Sequence, residues 1–198
     1  MQRVLHTARL TLRPCVQGDE EVLHRHWTEP DVRRHLWDGR IIGRNTVHEE
    51  VQASVASSRG HDYGLWIVIR KRDGVFHGVC GLRDGALRWP ELIFSVATRY
   101  AGGGIATEAA RGVLRHAFEA LRMERIMATV DAPNLASIRV LEKLGFSPMA
   151  DPMGGTTLRC YAVSAETFAH LPKKTRTALG KQGAKVAKRK RRSRRSRG

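Results

Sequence analysis

The sequence predicts an α/β protein built on a mixed β-sheet, and three observations support this prediction. The chain has 198 residues, 41% of them hydrophobic, which is enough for one packed core and short for several domains. Strand-like and helix-like hydrophobic patterns succeed one another along it. Their order is strand, three helices, three strands, helix, strand, helix and strand, joined by short loops. This order favours an α/β sandwich.

The first half of the sequence predicts one strand, three helices and a hairpin. Polar and apolar residues alternate in the strand, and apolar residues recur at helical spacing in the helices that follow. Thr46 and Glu49 match a capping box, which places a helix N-terminus at Thr46. Arg72-Asp73-Gly74 is typical of a hairpin turn. The predicted bounds are 8–13 for the strand, 19–28, 31–36 and 46–58 for the helices, and 63–71 and 75–82 for the hairpin strands.

The second half alternates strands with helices. The longest predicted helix carries one broad apolar stripe that includes Ile105, Ala109 and Val113. The last helix starts with Asn134, a good N-cap, and stops at Gly145, a residue that often ends helices in a left-handed conformation. The predicted strands are 91–97, 125–130, and a final pair supplied by Phe146 and residues 158–163; the predicted helices are 105–122 and 134–144.

The high positive charge of the chain is concentrated at one end. The net charge is +16, but residues 172–198 contain 13 basic residues and no acidic one, so residues 1–171 carry only +3. The tail has no aromatic residue and only Leu179 and Val186 as larger aliphatic residues, so it cannot bury enough apolar surface to offset its ordering entropy. We therefore predict a domain over residues 1–171 and a basic, disordered tail over residues 172–198.

The cysteines and histidines exclude several classes of protein. Cys15, Cys80 and Cys160 are odd in number and form no Cys-x-x-Cys pair, which argues against a disulfide framework and a zinc site. The nine histidines, including His24-x-His26, have no paired metal spacing, so no metal is predicted. No apolar run approaches the length of about 20 residues that a membrane span needs. A soluble protein of the reducing cytoplasm is expected.

The most informative segment joins strand 91–97 to helix 105–122. Gly102, Gly103 and Gly104 precede the helix, where the backbone can approach a ligand closely and the first helical turn presents unpaired N–H groups with a partial positive charge. This pattern favours a phosphate site. It lacks the Lys-Ser/Thr of a Walker loop and the third glycine of a dinucleotide fingerprint. The alternatives are a site for another pyrophosphate ligand and a glycine-rich turn without any ligand.

Two motifs resemble those of the GNAT superfamily of N-acetyltransferases. Arg99-x-x-Gly102-x-Gly104-x-Ala106 is similar to its acyl-coenzyme A motif, and Asn134-x-x-Ser137-x-x-x-x-Glu142-Lys143-x-Gly145-Phe146 is similar to its second hallmark, at the expected distance. Arg9-Leu10-x-Leu12-Arg13 places the chain nearest to the ribosomal-protein N-acetyltransferase-like branch. The resemblance covers about residues 8–170 and excludes the tail.

The resemblance implies a fold and a co-substrate. The sheet would have a V-shaped splay between two parallel strands, 91–97 and 125–130, with helices on both faces. Acetyl-CoA would bind in the splay, with its pyrophosphate on backbone N–H groups of the glycine loop. Asn134 would bond the pantetheine arm or brace the loop beside it. The residues that the resemblance assigns to acetyl-CoA are Val96, Arg99, Gly102, Gly103, Gly104, Ile105, Ala106, Thr107 and Asn134.

The resemblance also assigns roles in catalysis. An amine must lose a proton before it attacks, and Glu91 corresponds to the carboxylate that removes it; an ordinary strand-edge carboxylate is the alternative. A strand N–H near Ser95 or Val96 would stabilise the oxyanion. Leu141 stands where many members have a proton-donating Tyr, which shifts that role to Ser137, or leaves Ser137 as a first-turn hydroxyl of the helix. Tyr161 is a weaker substitute that is expected to pack in the sheet.

The acceptor side of the site is less defined. Trp37, Asp38 and Arg40 lie in a loop that covers the acceptor in this family, and an aromatic ring, an acid and a base together suit an amine; a packed Trp beside a solvated ion pair is the alternative.

The predicted function is transfer of acetyl from acetyl-CoA to a primary amine, a protein N-terminus or a small molecule, by direct attack through a tetrahedral intermediate. The alternative is a nucleic-acid- or ribosome-binding protein that uses the fold as a scaffold and residues 173–197 as its contact. Those residues would also suit RNA, a ribosome or an acidic protein as partners of an enzyme, and a solvated segment with no defined partner is the alternative. No membrane partner is expected, and the chain would be a monomer or a homodimer.

Overall fold

The protein has one mixed β-sheet with helices on both faces. The computed structural model describes residues 3–85, 89–151 and 158–172. Its strands are β1 (Leu5–His6), β2 (Leu10–Pro14), β3 (Leu65–Arg70), β4 (Phe76–Arg83), β5 (Glu91–Val96), β6 (Arg125–Asp131), β7 (Ser147–Met149) and β8 (Leu158–Ser164). Its α-helices are α1 (Glu20–Trp27), α2 (Pro30–Arg33), α3 (Arg44–His61), α4 (Ile105–Arg115), α5 (Leu135–Lys143) and α6 (Ala165–Ala169). The strands lie in the order β1-β2-β3-β4-β5-β6-β8-β7.

Two apolar clusters hold the helices on the sheet. On one face, Leu23 of α1 and Val51 of α3 are buried in one cluster with Ile67 of β3. On the other face, Val113 of α4 and Leu141 of α5 belong to a second cluster that also contains residues of β2, β3, β4 and β6. The prediction of a mixed sheet covered by helices on both faces is therefore confirmed.

The sheet opens between β5 and β6. These parallel strands share one register pair in the described chain, Glu91 with Met127, next to a hydrogen bond of 3.0 Å from Met127 N to Pro90 O. β5 stays paired with β4 up to Val96, whereas β6 stays paired with β8 up to Asp131. Each strand thus follows its outer neighbour away from the other. The predicted V-shaped splay between the two parallel strands is confirmed, with its apex at Glu91.

The capping box predicted at Thr46 is wrong. The helix α3 begins two residues earlier, at Arg44, with the extended residue Gly43 as its N-cap and without a side-chain capping bond. Thr46 therefore lies inside the first turn. At this earlier start the Arg44 guanidinium pairs with Glu21 of α1 at 2.5 Å. No local sequence pattern predicts this contact between two helices.

Other bounds differ from the predictions by a turn or less, with two exceptions. The predicted helix 31–36 is the single turn α2, and the long helix leaves α-helical geometry after Arg115. A π-helical turn over His116–Ala120 follows, in which Leu121 N donates to His116 O at 3.1 Å. Arg122, at φ 57°, then turns the chain toward β6. The short strand β1 and the helix α6 have no counterpart in the sequence predictions.

The tail lies outside the described residues beyond Pro172, so the domain boundary at residues 171/172 stays a prediction. Within the described part of the chain, no helix combines the length and the apolar character that crossing a membrane requires. In the same part, no group of three or more His, Cys, Asp and Glu side chains is arranged to hold a metal ion. Cys15, Cys80 and Cys160 are buried and free.

Candidate functional site

The glycine loop begins where β5 leaves the sheet. One 3₁₀ turn, Thr98–Tyr100, follows the strand, and α4 starts at Ile105. Gly102 and Gly104 have φ of 76° and 75°, in the left-handed region that side chains disfavour, and Gly104 is the N-cap of α4. A Cβ at Gly102 would meet no atom within 4 Å, so open space lies over the loop. The backbone here is built for close approach by a ligand.

The start of α4 gives this loop its chemistry. The amides of Ile105, Ala106 and Thr107 are in the first helical turn, where the helix itself offers them no acceptor. With the partial positive charge of the helix terminus, they suit an anion such as a pyrophosphate. Arg99 lies beside the loop with its guanidinium 5.0 Å from the Tyr100 ring centroid. The residues present therefore fit the phosphate groups of a coenzyme A ligand.

The Tyr100 ring fixes the position of the turn before the loop. It stacks on His77 of β4 with centroids 3.8 Å apart and planes 3° from parallel. Because β4 belongs to the rigid centre of the sheet, this stack anchors the turn that carries Arg99 and leads into Gly102.

The strand β5 directs alternate amides into the splay. The backbone N–H of Ala97, directly after β5, donates to the carbonyl oxygen of His77 in β4 at 2.9 Å. In an antiparallel pair the amides that face the partner recur at every second residue, so Ser95 N–H also points toward β4. Val96 N–H points the other way, into the splay. Of the two oxyanion donors proposed from the sequence, the geometry favours Val96.

Glu91 lies at the apex of the splay and joins both strands. The side chain is buried, with 8% of the residue exposed. Its carboxylate accepts hydrogen bonds from Thr129 of β6, one from the hydroxyl and one of 3.2 Å from the backbone N. Arg83 Nε, on the paired position of β4, donates to the other carboxylate oxygen at 2.8 Å. The carboxylate is thus held by three hydrogen bonds from the two neighbouring strands, and its role as a general base stays a prediction.

A cavity of about 390 Å³ adjoins Glu91 on the face covered by α3. Its lining includes three carboxylates, Glu50, Asp84 and Glu91, and one guanidinium, Arg83. Burial raises the pKa of Glu50, and the charge of Arg83 opposes this effect. Tyr63 donates its hydroxyl to Asp84. Reasoning from the sequence missed Glu50, Arg83 and Asp84, since none belongs to a motif and only the sheet register brings Arg83 to Glu91.

Asn134 and Ser137 lie on the opposite side of the splay from the glycine loop. They follow β6 as the loop follows β5, and the carboxyl ends of parallel strands meet at the same sheet edge. Asn134 Oδ1 accepts a hydrogen bond of 3.1 Å from Ser137 N, so Asn134 is the predicted N-cap. Ser137 is a half-buried residue of the first turn of α5. Its role in catalysis stays a prediction.

Leu141, which stands where many family members have a Tyr, and Tyr161, the weaker substitute, both lie in the core. Leu141 is 1% exposed and belongs to the apolar cluster under α4 and α5. Tyr161, 4% exposed, packs in the same cluster, as the sequence suggested.

The loop predicted to cover the acceptor reaches the end of β6. Trp37, at φ 55°, begins a 3₁₀ turn over Trp37–Gly39 that includes Asp38, and its ring packs edge-on against Trp27 of α1 at 6.0 Å. Arg40 is exposed directly after this turn. His35 comes two residues before the turn, and its Nδ1 lies 3.4 Å from Oδ2 of Asp131, at the end of β6. The loop therefore spans from α1 to the end of β6, and its role in binding the acceptor stays a prediction.

A buried histidine contacts the centre of β5. His26 of α1 is 1% exposed, and its Nε2 is 2.9 Å from Ser95 Oγ. Its ring lies edge-on to Phe76, with centroids 5.3 Å apart. Burial lowers the pKa of His26 from 6.5 to about 4, so the ring is neutral at physiological pH. The contact fixes Ser95 and, with it, the strand that carries Val96.

This histidine makes stability depend on pH. Because the pKa of His26 is lower in the folded chain than in the unfolded chain, the unfolded state binds more protons below pH 6.5. We expect His26 to lower the free energy of unfolding by about 2 kcal/mol from pH 7 to pH 5. Urea unfolding at both pH values, for the wild type and for His26→Gln, measures this contribution. If both proteins lose the same free energy, His26 is not the group responsible.

A mixed sheet that opens between two parallel strands, with a glycine loop and a helix N-terminus at the end of one of them, defines the acyltransferase class of α/β proteins. Residues 9–147 match the family model of the acetyltransferase (GNAT) domain. The chain belongs to the GNAT acetyltransferase family, and the resemblance found in its motifs is confirmed.

Two relatives by sequence come from species of Bacillus. The uncharacterized protein YkkB of Bacillus subtilis (strain 168) is 34% identical over 145 residues, which cover 71% of this chain and 83% of that protein. The uncharacterized N-acetyltransferase p20 of Bacillus licheniformis is 28% identical over 145 residues, covering 72% and 81%.

Solved structures share the fold. An acetyltransferase from Agrobacterium tumefaciens str. C58 superposes with a TM-score of 0.74 at 23% identity, over 82% of this chain and 95% of its own. A ribosomal L7/L12 alpha-N-protein acetyltransferase (RimL) in complex with coenzyme A gives 0.67 at 15% identity, over 82% and 98%. At these identities the likeness concerns the fold. None of these comparisons supports the alternative of a nucleic-acid-binding scaffold.

Proposed function

We propose that the protein is an N-acetyltransferase that transfers the acetyl group of acetyl-CoA to a primary amine by direct attack. The acceptor is a protein N-terminus or a small-molecule amine. The observation that carries this proposal is the splay itself, with an anion-binding glycine loop at its open end and a buried carboxylate, Glu91, at its apex. Membership of the acetyltransferase family supports the reaction class.

Backbone groups would hold the coenzyme. The loop from Gly102 to Thr107 combines two left-handed glycines, open space and a helix N-terminus, which fit a pyrophosphate. Bound there, acetyl-CoA supplies the activated acetyl thioester. The protein contributes Val96 N–H, which points into the splay as a hydrogen-bond donor for the carbonyl oxygen. Asn134 and Ser137 border the other side of the same opening.

Glu91 is proposed as the general base. An α-amino group titrates near 8 and a lysine near 10.4, so most acceptor amines are protonated at neutral pH and cannot attack. The Glu91 carboxylate takes this proton, directly or through one water. Arg83 and Thr129 hold the carboxylate in place by hydrogen bonds. The cavity beside it gives the amine a route to Glu91, and the carboxylates of Glu50 and Asp84 favour a cationic group there.

Ser137 is proposed to protonate or hydrogen-bond the leaving thiolate. Its position in the first turn of α5, after β6, supports this role because that turn lies at the open end of the splay. Leu141 has no proton to give, and Tyr161 is packed in the core.

Two broader expectations stay predictions. The three free, buried cysteines support a reducing compartment and hence the cytoplasm. A contact with RNA, a ribosome or an acidic protein would depend on residues 173–197, which lie outside the described structure.

A screen of acceptors tests the proposal. The full chain is incubated with acetyl-CoA and panels of simple amines, aminoglycoside-type antibiotics and N-terminal peptides, and release of free coenzyme A thiol is followed. We expect at least one panel to accelerate release above the rate without acceptor. A chain that neither binds acetyl-CoA nor releases thiol with any panel would contradict the proposal.

A further inference from the structure

Arg9 links the N-terminal hairpin to the glycine loop. It lies between β1 and β2, and its Nη1 donates to Gly103 O at 3.0 Å. Its Nε donates to Glu108 Oε2 at 2.6 Å, and its backbone N donates to Glu108 Oε1 at 2.7 Å. Glu108 is in the first turn of α4, 99 positions away along the chain. The guanidinium is thereby fixed at the edge of the loop.

Glu108 needs a partner at this position. Burial raises the pKa of its carboxyl, but hydrogen bonds from Thr7 and Arg9 outweigh burial and lower the pKa overall, so the group is ionised. An unpaired carboxylate in the first turn of α4 would repel an anion bound at the loop. The positive charge of Arg9 cancels this negative charge. The Arg9 side chain is also the more exposed of the two, at 51% against 18% for Glu108. The outer face of the pair is therefore cationic.

The guanidinium retains free donors toward the loop. Of its five N–H groups, one on Nε and one on Nη1 are used, so three have no partner among the described residues. Nη2 lies 3.6 Å from the position that a Cβ of Gly104 would take, on the open side of a left-handed glycine. A planar fork of N–H groups in this place matches the geometry of phosphate oxygens.

We propose that Arg9 is a side-chain ligand of the coenzyme pyrophosphate, held in position by Glu108. This inference rests on the proposed function, and it adds a second guanidinium, besides Arg99, to the backbone amides of the site. The pyrophosphate, rather than the 3′-phosphate, is the target because Arg9 is bonded to Gly103 within the loop itself.

Three ligands separate this role from a structural one. Coenzyme A has both the pyrophosphate and the 3′-phosphate, dephospho-coenzyme A has the pyrophosphate alone, and pantetheine has neither. In the full chain carrying Glu108→Gln, which leaves no unpaired carboxylate beside the loop, adding Arg9→Gln should weaken coenzyme A and dephospho-coenzyme A by about tenfold or more in calorimetry, since charge-assisted hydrogen bonds are lost. Pantetheine binding, followed by ligand-detected NMR, should not change. Arg9→Lys should recover part of the lost affinity, and Arg59→Gln, at the far end of α3, should match the wild type.

The other outcomes each overturn the proposal. Equal weakening of all three ligands would mean that Arg9 only supports the fold, and unchanged binding of all three would mean that it touches no phosphate. Weakening of coenzyme A alone would place Arg9 at the 3′-phosphate. Failure of the wild type to bind coenzyme A would refute the proposed function itself, whereas a normal wild type with any of the former results refutes only the role of Arg9.

Discussion

We expect the replacement of Glu91 with glutamine to lower kcat at neutral pH by about a hundredfold or more, the usual contribution of a general base. Glutamine keeps the shape of the side chain, but its amide cannot take a proton from the amine. Binding of acetyl-CoA should not change, because Glu91 lies at the apex of the splay and the glycine loop at its open end. Turnover of the full chain is measured with a responsive acceptor, and acetyl-CoA binding by calorimetry.

The pH dependence makes this prediction specific. As pH rises past the pKa of the acceptor amine, the amine loses its proton without help, so the deficit of Glu91→Gln should narrow. Glu49→Gln is the matched control, since Glu49 is an exposed carboxylate on the same helix as Glu50. It should retain the wild-type kcat. If Glu91→Gln leaves kcat unchanged at every pH, the assignment of the base is wrong.

We expect the replacement of Gly104 with glutamate to weaken acetyl-CoA binding strongly. The residue has φ of 75°, so any side chain there strains the backbone by about 1–2 kcal/mol. The added carboxylate would also stand at the N-terminus of α4, where the phosphates are proposed to bind, and within reach of Arg9. We expect at least about a hundredfold loss of affinity, because like charges at close range cost several kcal/mol.

The control for this variant is Gly18→Glu. Gly18 is exposed, has no atom within 4 Å of its Cβ position and is not at a positive φ, so the same new charge should be tolerated. Thermal unfolding of both variants checks that the fold persists. Affinity of a folded Gly104→Glu within tenfold of the wild type would exclude the loop as the phosphate site.

Local sequence patterns predicted the parts of the site that lie within one stretch of the chain. Gly102 and Gly104 were predicted to let the backbone approach a ligand closely, and both have positive φ, which glycine adopts readily. Asn134 was predicted as an N-cap because its side chain bonds a nearby amide, and it accepts from Ser137 N. In each case the controlling contact spans only a few residues.

Contacts between distant segments were not predictable in this way. Arg9 and Glu108 meet only because the N-terminal hairpin packs against α4, and Arg83 meets Glu91 only through the sheet register. The same reason explains the wrong N-terminus of α3, where pairing of Arg44 with another helix accompanies a start that no local motif marks. Residues whose chemistry depends on tertiary neighbours belong to no sequence motif that would identify them.

Calorimetric titration of the full chain with acetyl-CoA shows whether the glycine loop and the splay form an acetyl-CoA site. We expect saturable binding of one acetyl-CoA per chain, with Kd between about 1 μM and 1 mM, the range of enzyme KM values. The absence of any saturable heat, together with unchanged thermal stability at millimolar acetyl-CoA, would contradict it.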